Sequence, residues 1–270
     1  VSSLPLIAVL TIAATGTEMN MVSVLQNHDT NEKIGFRNPL MYPTHSFLDP
    51  TYYQTVPENY TAYGIVDLIA HSLEAWFGKG QADLSDKEQN KYKQAIDFYA
   101  KALNLSEIEY QIANIKNNLG VLYKDLNNYE YRERIMWAAT CALNDTTMHG
   151  RISGDWGVHA LGHTLSYLYD TAHGATLSIF FPAWMQYIGN KYPERVIELG
   201  EKLFNEHTVK GTVKAFKALF SELGSPISLE EAGIKSDRKG EILQLMETTK
   251  ASGLHFILSS DDRKNILELV

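Results

Sequence analysis

The stretch Asp155-Trp-Gly-Val-His159-Ala-Leu-Gly-His163-Thr-Leu-Ser-Tyr-Leu-Tyr-Asp-Thr-Ala-His173-Gly174 places three histidines within fifteen positions. His159 and His163 are four residues apart, so they share one face of a predicted helix. His173 directly precedes a glycine and is predicted to begin the next helix. Imidazole is the commonest metal ligand, and three imidazoles in an apolar neighbourhood favour metal binding. One or two hydrogen-bonded core histidines are the alternative at this point.

A second stretch, Gly64-Ile-Val-Asp67-Leu-Ile-Ala-His71-Ser-Leu-Glu74, puts a carboxylate and an imidazole on one helix face among apolar residues. A buried carboxylate costs several kcal/mol unless it is paired or bound to a metal. Taken alone, the pair is better explained by a buried Asp–His hydrogen bond. The two stretches together offer one carboxylate and up to four imidazoles without a thiolate. That donor set suits Fe²⁺ or Zn²⁺ and also accepts other divalent metals.

Composition excludes several classes of function. The 270 residues carry a formal charge of -8 without a basic patch, which argues against a nucleic-acid partner. The apolar run Leu4 to Ala14 is too short to span a bilayer, so we expect no membrane partner. The single cysteine, Cys141, excludes an intramolecular disulfide and fits a reducing, cytoplasmic location.

Hydrophobic periodicity divides the chain into two parts. The run Leu6 to Ala14 predicts a strand of a parallel sheet, buried on both faces, and Ser46 to Asp49 predicts a second short strand. Residues 1–55 are therefore interpreted as a piece of an α/β sheet, too small to fold alone with a full nucleotide site. Residues 56–270 show helical spacing and predict a nearly all-helical domain, so the fold class is mainly α. The predicted helices are 61–76, 86–103, 108–122, 131–143, 155–167, 174–187, 194–204, 212–223 and 237–249.

The sequence pattern of segment 86–125 differs from that of the other predicted helices. Ala95, Tyr99 and Ala102, followed by Leu119 and Gly120, resemble tetratricopeptide helices. A tetratricopeptide solenoid needs at least three repeats, and only about one is present here. Two amphipathic helices packed on the helical domain are therefore favoured over a groove for a protein partner.

Both histidine-containing stretches resemble the signature regions of the iron-containing (metal-dependent, group III) alcohol dehydrogenase family, in particular its butanol dehydrogenase branch. Asp67 and His71 match the first pair of metal ligands, and His159 and His173 match the second pair. His163 matches a family histidine that lies near the nicotinamide and is not a ligand. Flanking stretches agree with the family: 13–18, 48–50, 129–140 and 155–156. The resemblance implies a helical metal-binding domain of the dehydroquinate synthase-like fold over residues 56–270, preceded by part of an α/β nucleotide-binding domain over residues 1–55.

The resemblance also implies a cofactor site for NADP or NAD. The family contacts its cofactor through the loop that corresponds to Thr11, Thr15, Thr17 and Asn20, and through a lysine that corresponds to Lys33. A glycine-containing, hydroxyl-rich turn after a buried strand is where α/β proteins place a phosphate or ribose. An ordinary turn at the end of a strand explains the loop equally well.

The activity implied by the resemblance is NAD(P)-linked interconversion of primary alcohols and aldehydes, in an enzyme that could be a homodimer. The metal would polarise the substrate oxygen, and His163 would relay a proton or orient the nicotinamide. Three alternatives stay open: a metal-dependent hydrolase with the same ligands, a relative that acts on polyols or a cyclic sugar acid, or an inactive metal-binding fragment or interaction module. The chain starts at Val1, and we expect a processed or truncated product without the family's glycine-rich pyrophosphate turn.

Overall fold

The computed structural model describes residues 3–30, 32–80, 126–148 and 151–270. These residues form a mainly helical protein with a few short strands. The elements in chain order are β1 (Ile7–Val9), β2 (Val22–Asn27), β3 (Glu32–Arg37), β4 (His45–Phe47), α1 (Glu58–Phe77), β5 (Lys79–Gly80), α2 (Tyr129–Leu143), β6 (Arg151–Ser153), α3 (Gly157–Tyr169), α4 (His173–Gly189), α5 (Pro193–Phe204), α6 (Val209–Glu222), α7 (Lys239–Thr248) and α8 (Ser260–Leu267).

Helices α1 and α4 form the centre of the structure. Each is buried along nearly its whole length, because apolar side chains occupy all sides of both helices rather than one stripe. Helix α4 packs against α1, α3 and α6, and α1 packs against α2. Asp67 and His71 therefore lie on a core helix, and His159 and His173 lie on the two helices beside it.

Two glycines permit close approach of backbones at this centre. A Cβ atom on Gly174, in the first turn of α4, would lie 2.0 Å from the Tyr63 carbonyl oxygen on α1. A Cβ atom on Gly64 would lie 2.2 Å from the carbonyl oxygen of Ala13. Both helix contacts therefore require a residue without a side chain, and the first of them fixes the position of His173.

The strands near the start of the chain agree in part with the predictions. Strands β1 and β4 pair in parallel, with Ile7 opposite His45 and Val9 opposite Phe47. The prediction that β1 is buried on both faces is wrong for the described structure, because Ile7 is 60% exposed and Val9 is 52% exposed. The antiparallel hairpin of β2 and β3 was not predicted from the sequence.

The helices predicted outside 86–125 all occur, with ends that differ by a few residues, and α8 was not predicted. The tetratricopeptide-like segment 86–125 lies outside the described residues. The boundary between residues 1–55 and 56–270 stays a prediction. In the part of the chain that the structure describes, no helix combines the length and apolar content needed to cross a membrane.

One buried arginine joins α2 to α1 and to the segment before it. The Arg132 guanidinium is fully buried and lies over the Tyr53 ring, 4.3 Å from its centroid. It donates hydrogen bonds to acceptors in three segments: the carbonyls of Leu126, Gln54 and Val56, and the Thr61 hydroxyl. Arg132 therefore holds α2 against α1 and against the segment that precedes α1.

We expect Arg132→Lys to lower the free energy of unfolding by about 3 kcal/mol, because an ammonium group cannot reach several dispersed acceptors and leaves them buried without partners. Denaturant unfolding measures the change. Arg134→Lys is the matched control on the same helix: Arg134 is exposed and pairs with Glu130, so its replacement is expected to cost under about 0.5 kcal/mol. Equal losses for the two variants would contradict the assignment.

Candidate metal centre

The centre is built on one face of α1. Asp67 and His71 lie on successive turns of this helix, and their side chains are nearly inaccessible. His159 lies in the first turn of α3, and His173 is the first residue of α4. The close approach of α4 to α1 at Gly174 brings His173 over the Asp67 carboxylate.

The four predicted ligands meet at a single oxygen atom. Asp67 Oδ1 lies 3.5 Å from His71 Nε2, 3.8 Å from His159 Nε2 and 3.5 Å from His173 Nε2. Ligand atoms of Asp67, His159 and His173 all lie within 4.8 Å of one another, a grouping that could hold a metal ion. The ring of His71 stacks on that of His159, with centroids 5.1 Å apart. The structure thus brings together all four residues that the sequence singled out.

Among the described residues, each of the four candidate ligands has one buried atom without a hydrogen-bond partner: Asp67 Oδ1, His71 Nδ1, His159 Nε2 and His173 Nδ1. A carboxylate oxygen in such a position is costly unless a cation binds it. The facing atoms are one carboxylate oxygen and three imidazole nitrogens, which is a normal donor set for Zn²⁺ or Fe²⁺ in a catalytic site. The residues present therefore fit a divalent metal.

Electrostatics at the centre favour two neutral imidazoles, those of His71 and His173, beside a charged carboxylate. Burial lowers the pKa of His71 to about 4 and that of His173 to about 4, so both rings have a free lone pair at neutral pH. Burial opposes the charge on Asp67, but the surrounding imidazoles hold the pKa of this carboxyl well below its usual range. Burial also opposes protonation of His159, but the Asp67 and Glu74 carboxylates beside it raise its pKa to about 9, so the ring holds a proton at neutral pH that a bound cation would replace.

A cavity of about 850 Å³ opens above the four residues. His163, one turn after His159 on α3, lines this cavity, and its ring centroid lies 5.6 Å from that of His173. Burial lowers the pKa of His163 to about 3, although the nearby Lys33 backbone on β3 acts in the opposite direction. The Lys33 side chain also lines the cavity, and burial lowers its pKa. The unpredicted hairpin thus forms one wall of the site.

The loop predicted to contact the cofactor is only partly at the cavity. Thr15 and Thr17 line it, and their hydroxyls are hydrogen-bonded at 2.7 Å. Asn20 is buried, and its side chain stabilises the loop: its amide donates to the Thr15 carbonyl and accepts from the backbone N–H of Val22. Thr11 is exposed and is not among the lining residues.

Two residues at the centre had no role in the sequence interpretation of the ligands. Glu74, three positions after His71, accepts a hydrogen bond from His159 Nδ1 at 2.8 Å. The Trp156 ring lines the cavity, with its centroid 5.3 Å from that of His159 and 6.2 Å from that of His71. The only signal for Glu74 was its spacing of seven residues after Asp67, which puts both carboxylates on one helix face.

The candidate ligands lie on buried core helices beside a large cavity, an arrangement that suits a metal-dependent enzyme, and comparison with known proteins gives the family. The model of the "Fe-containing alcohol dehydrogenase family, C-terminal" matches residues 61–256, and that of "Iron-containing alcohol dehydrogenase" matches residues 1–50. The chain belongs to the iron-containing alcohol dehydrogenase family.

Individual relatives lie in the butanol dehydrogenase branch. The chain is 31% identical to the probable NADH-dependent butanol dehydrogenase 1 of Bacillus subtilis, over 98% of this chain and 66% of the relative. It is 33% identical to NADH-dependent butanol dehydrogenase A of Clostridium acetobutylicum, over 98% and 65%. The crystal structure of NADH-dependent butanol dehydrogenase A from Thermotoga maritima superposes with a TM-score of 0.84 at 34% identity, covering 99% of this chain and 66% of that one. The chain thus spans just under two thirds of these relatives.

Proposed function

We propose that this protein interconverts primary alcohols and aldehydes with NADH or NADPH at a divalent metal held by Asp67, His71, His159 and His173. The observation that carries the proposal is the meeting of three imidazole Nε2 atoms at the unpartnered Asp67 Oδ1, beneath a cavity of about 850 Å³. The named activities of the butanol dehydrogenases in Bacillus and Clostridium support the reaction type.

Each group in the cavity has a separate task in this proposal. A bound Fe²⁺ or Zn²⁺ supplies Lewis-acid chemistry, which favours the alkoxide form of an alcohol and polarises an aldehyde carbonyl. The hydroxyls of Thr15 and Thr17 and the ammonium of Lys33 form a polar side that suits a nicotinamide nucleotide. The Trp156 ring gives the other side an apolar surface, which suits a short alkyl chain.

His163 is the residue we assign to proton transfer. Its lowered pKa keeps the ring neutral at pH 7. A neutral imidazole has one ring nitrogen that bears the N–H. The other ring nitrogen is then an acceptor, so His163 can take the hydroxyl proton of an alcohol and return it during aldehyde reduction.

The test is butanal-dependent oxidation of NADH and of NADPH by the chain loaded with Zn²⁺ or Fe²⁺. We expect turnover that requires the metal, and His163→Ala is expected to lower kcat by about 10²-fold, the usual contribution of a positioned acid or base. Metal content should stay unchanged, because His163 is not a proposed ligand. His207→Ala is the matched control, since His207 is exposed and lies outside the cavity lining.

The competing functions give different results in the same assays. Metal-dependent hydrolysis of an activated ester without any nicotinamide would favour a hydrolase that uses a bound water. Absence of NADH and NADPH binding to the metal-loaded chain, measured by fluorescence, would favour an inactive metal-binding fragment or interaction module. Preference for glycerol over butanol would favour a polyol-specific relative.

We also propose a cytoplasmic location, because nicotinamide-linked metabolism takes place there and the thiol of Cys141 would stay reduced. A homodimer stays a prediction, and light scattering of the full chain tests it.

A further inference from the structure

Glu74 is a second buried carboxylate at the centre, and it faces α3 rather than the shared oxygen of Asp67. It lies on α1 and is 1% exposed. Its Oε1 accepts hydrogen bonds from His159 Nδ1 at 2.8 Å and from the His159 backbone N–H at 3.2 Å. Its Oε2 accepts from the Trp156 backbone N–H at 2.6 Å. Both oxygens are therefore engaged by the residues that begin α3.

The start of α3 depends on these hydrogen bonds. The residue before the helix, Trp156, has a left-handed backbone with φ of 63° and makes no side-chain hydrogen bond that caps the helix. The first N–H groups of a helix lack partners within the helix, and a carboxylate beside them is favourable. Glu74 supplies that carboxylate from α1, so one side chain fixes both the backbone and the ring of His159.

The same contact determines which ring nitrogen of His159 is free. A metal binds His159 as a neutral imidazole, which has one N–H, so an Nδ1–H that donates to Glu74 leaves Nε2 with the lone pair. Nε2 is the atom that lies 3.8 Å from Asp67 Oδ1, and none of the described residues forms a hydrogen bond with it. A carboxylate that receives the far N–H of a ligating histidine fixes the orientation of the ring and makes it a better ligand.

We propose that Glu74 is a positioning residue of the metal centre: it selects the Nδ1–H form of His159 and directs Nε2 at the metal. The inference rests on the metal centre of the proposed function and is independent of the redox reaction. Glu74 acts through His159 and is not itself a ligand, because both of its oxygens are occupied by N–H donors from α3.

Asp155 provides a matched comparison. It is also fully buried at the start of α3 and accepts backbone N–H groups from Gly157, His255 and Phe256. No hydrogen bond joins it to a ligand ring among the described residues. Loss of Asp155 should therefore disturb the same helix end without changing the ring of His159.

The experiment compares Glu74→Gln, Asp155→Asn and the unmodified full chain, with Zn²⁺ as the only ligand. Zn²⁺ affinity is measured by competition with a chromophoric chelator, and stability by denaturant unfolding after Zn²⁺ removal. We expect Glu74→Gln to weaken Zn²⁺ binding about 10–100-fold. Asp155→Asn should lower stability and leave the Zn²⁺ affinity close to that of the unmodified chain. Equal Zn²⁺ affinity for Glu74→Gln and the unmodified chain would overturn the proposal.

A second measurement needs no variant and covers the case in which Glu74→Gln fails to fold. In the Zn²⁺-loaded unmodified chain, ¹⁵N NMR of the His159 ring should show a protonated Nδ1 and a metal-bound Nε2. The opposite assignment, or an unmodified chain that does not bind Zn²⁺, overturns the inference. Normal Zn²⁺ binding without aldehyde reduction would contradict the proposed function and leave this inference intact.

Discussion

Replacing Asp67 by alanine is expected to abolish tight metal binding. Asp67 Oδ1 is the one atom that all three imidazole Nε2 atoms approach, and it supplies the negative charge of the proposed ligand set. Structural zinc sites in zinc-finger peptides, which have four protein ligands, bind with about 10–16 kcal/mol of apparent free energy. Shared equally among four ligands, this is about 3 kcal/mol of binding free energy for each. Loss of one ligand therefore corresponds to a decrease in metal affinity of about 10²-fold or more. Metal content after dialysis and chelator competition measure it.

Thermal unfolding gives an independent measure of metal binding by the Asp67→Ala variant. A ligand that binds only the folded state raises its stability by RT ln(1 + [L]/Kd), so Zn²⁺ should raise the unfolding midpoint of the unmodified chain. The midpoint of Asp67→Ala should respond little to the same Zn²⁺ concentration. Asp237→Ala is the control, because Asp237 is an exposed carboxylate in the turn before α7. Unchanged metal content in Asp67→Ala would remove Asp67 from the ligand set.

Helix positions could be predicted because their apolar residues recur at helical spacing. The prediction for 61–76 lies inside α1, and that for 131–143 lies inside α2. The hairpin of β2 and β3 could not be predicted because its apolar side chains do not all lie on one buried face. Val24 and Leu25 point to opposite faces of the hairpin, and both are exposed. The apolar run around Ile7 and Val9 predicted a buried strand, but both side chains are exposed. An apolar run does not show which other segments pack against the strand.

The proposed ligands could be found because each pair is local in sequence. Asp67 and His71 follow from helical geometry, while the link between the two pairs came from family resemblance and not from physical reasoning. The role of Glu74 could not be predicted, because it depends on the contact between α1 and α3. Asn20 was predicted to contact the cofactor because it lies in the resembling loop, but its side-chain amide is hydrogen-bonded to the backbone of that loop.

Gly174→Ala is expected to be the most destabilising change at a position that is not a proposed ligand. The added Cβ would lie 2.0 Å from the Tyr63 carbonyl oxygen and 2.6 Å from its carbon, both backbone atoms of a buried helix. Neither atom can move by side-chain rotation, so α4 must shift away from α1. Overpacking of this kind usually costs about 1–3 kcal/mol, and contact with backbone places the expected loss at about 3 kcal/mol or more. Denaturant unfolding measures the loss.

The same shift should weaken metal binding, because His173 directly precedes Gly174 and its Nε2 lies 3.5 Å from Asp67 Oδ1. Gly240→Ala separates this effect from the general consequence of adding a methyl group to a helix. A Cβ on Gly240 in α7 would meet nothing within 4 Å, and alanine there should stabilise the helix by up to about 1 kcal/mol. If Gly174→Ala were as stable as the unmodified chain and bound Zn²⁺ equally well, the close approach of α4 to α1 would not be what positions His173.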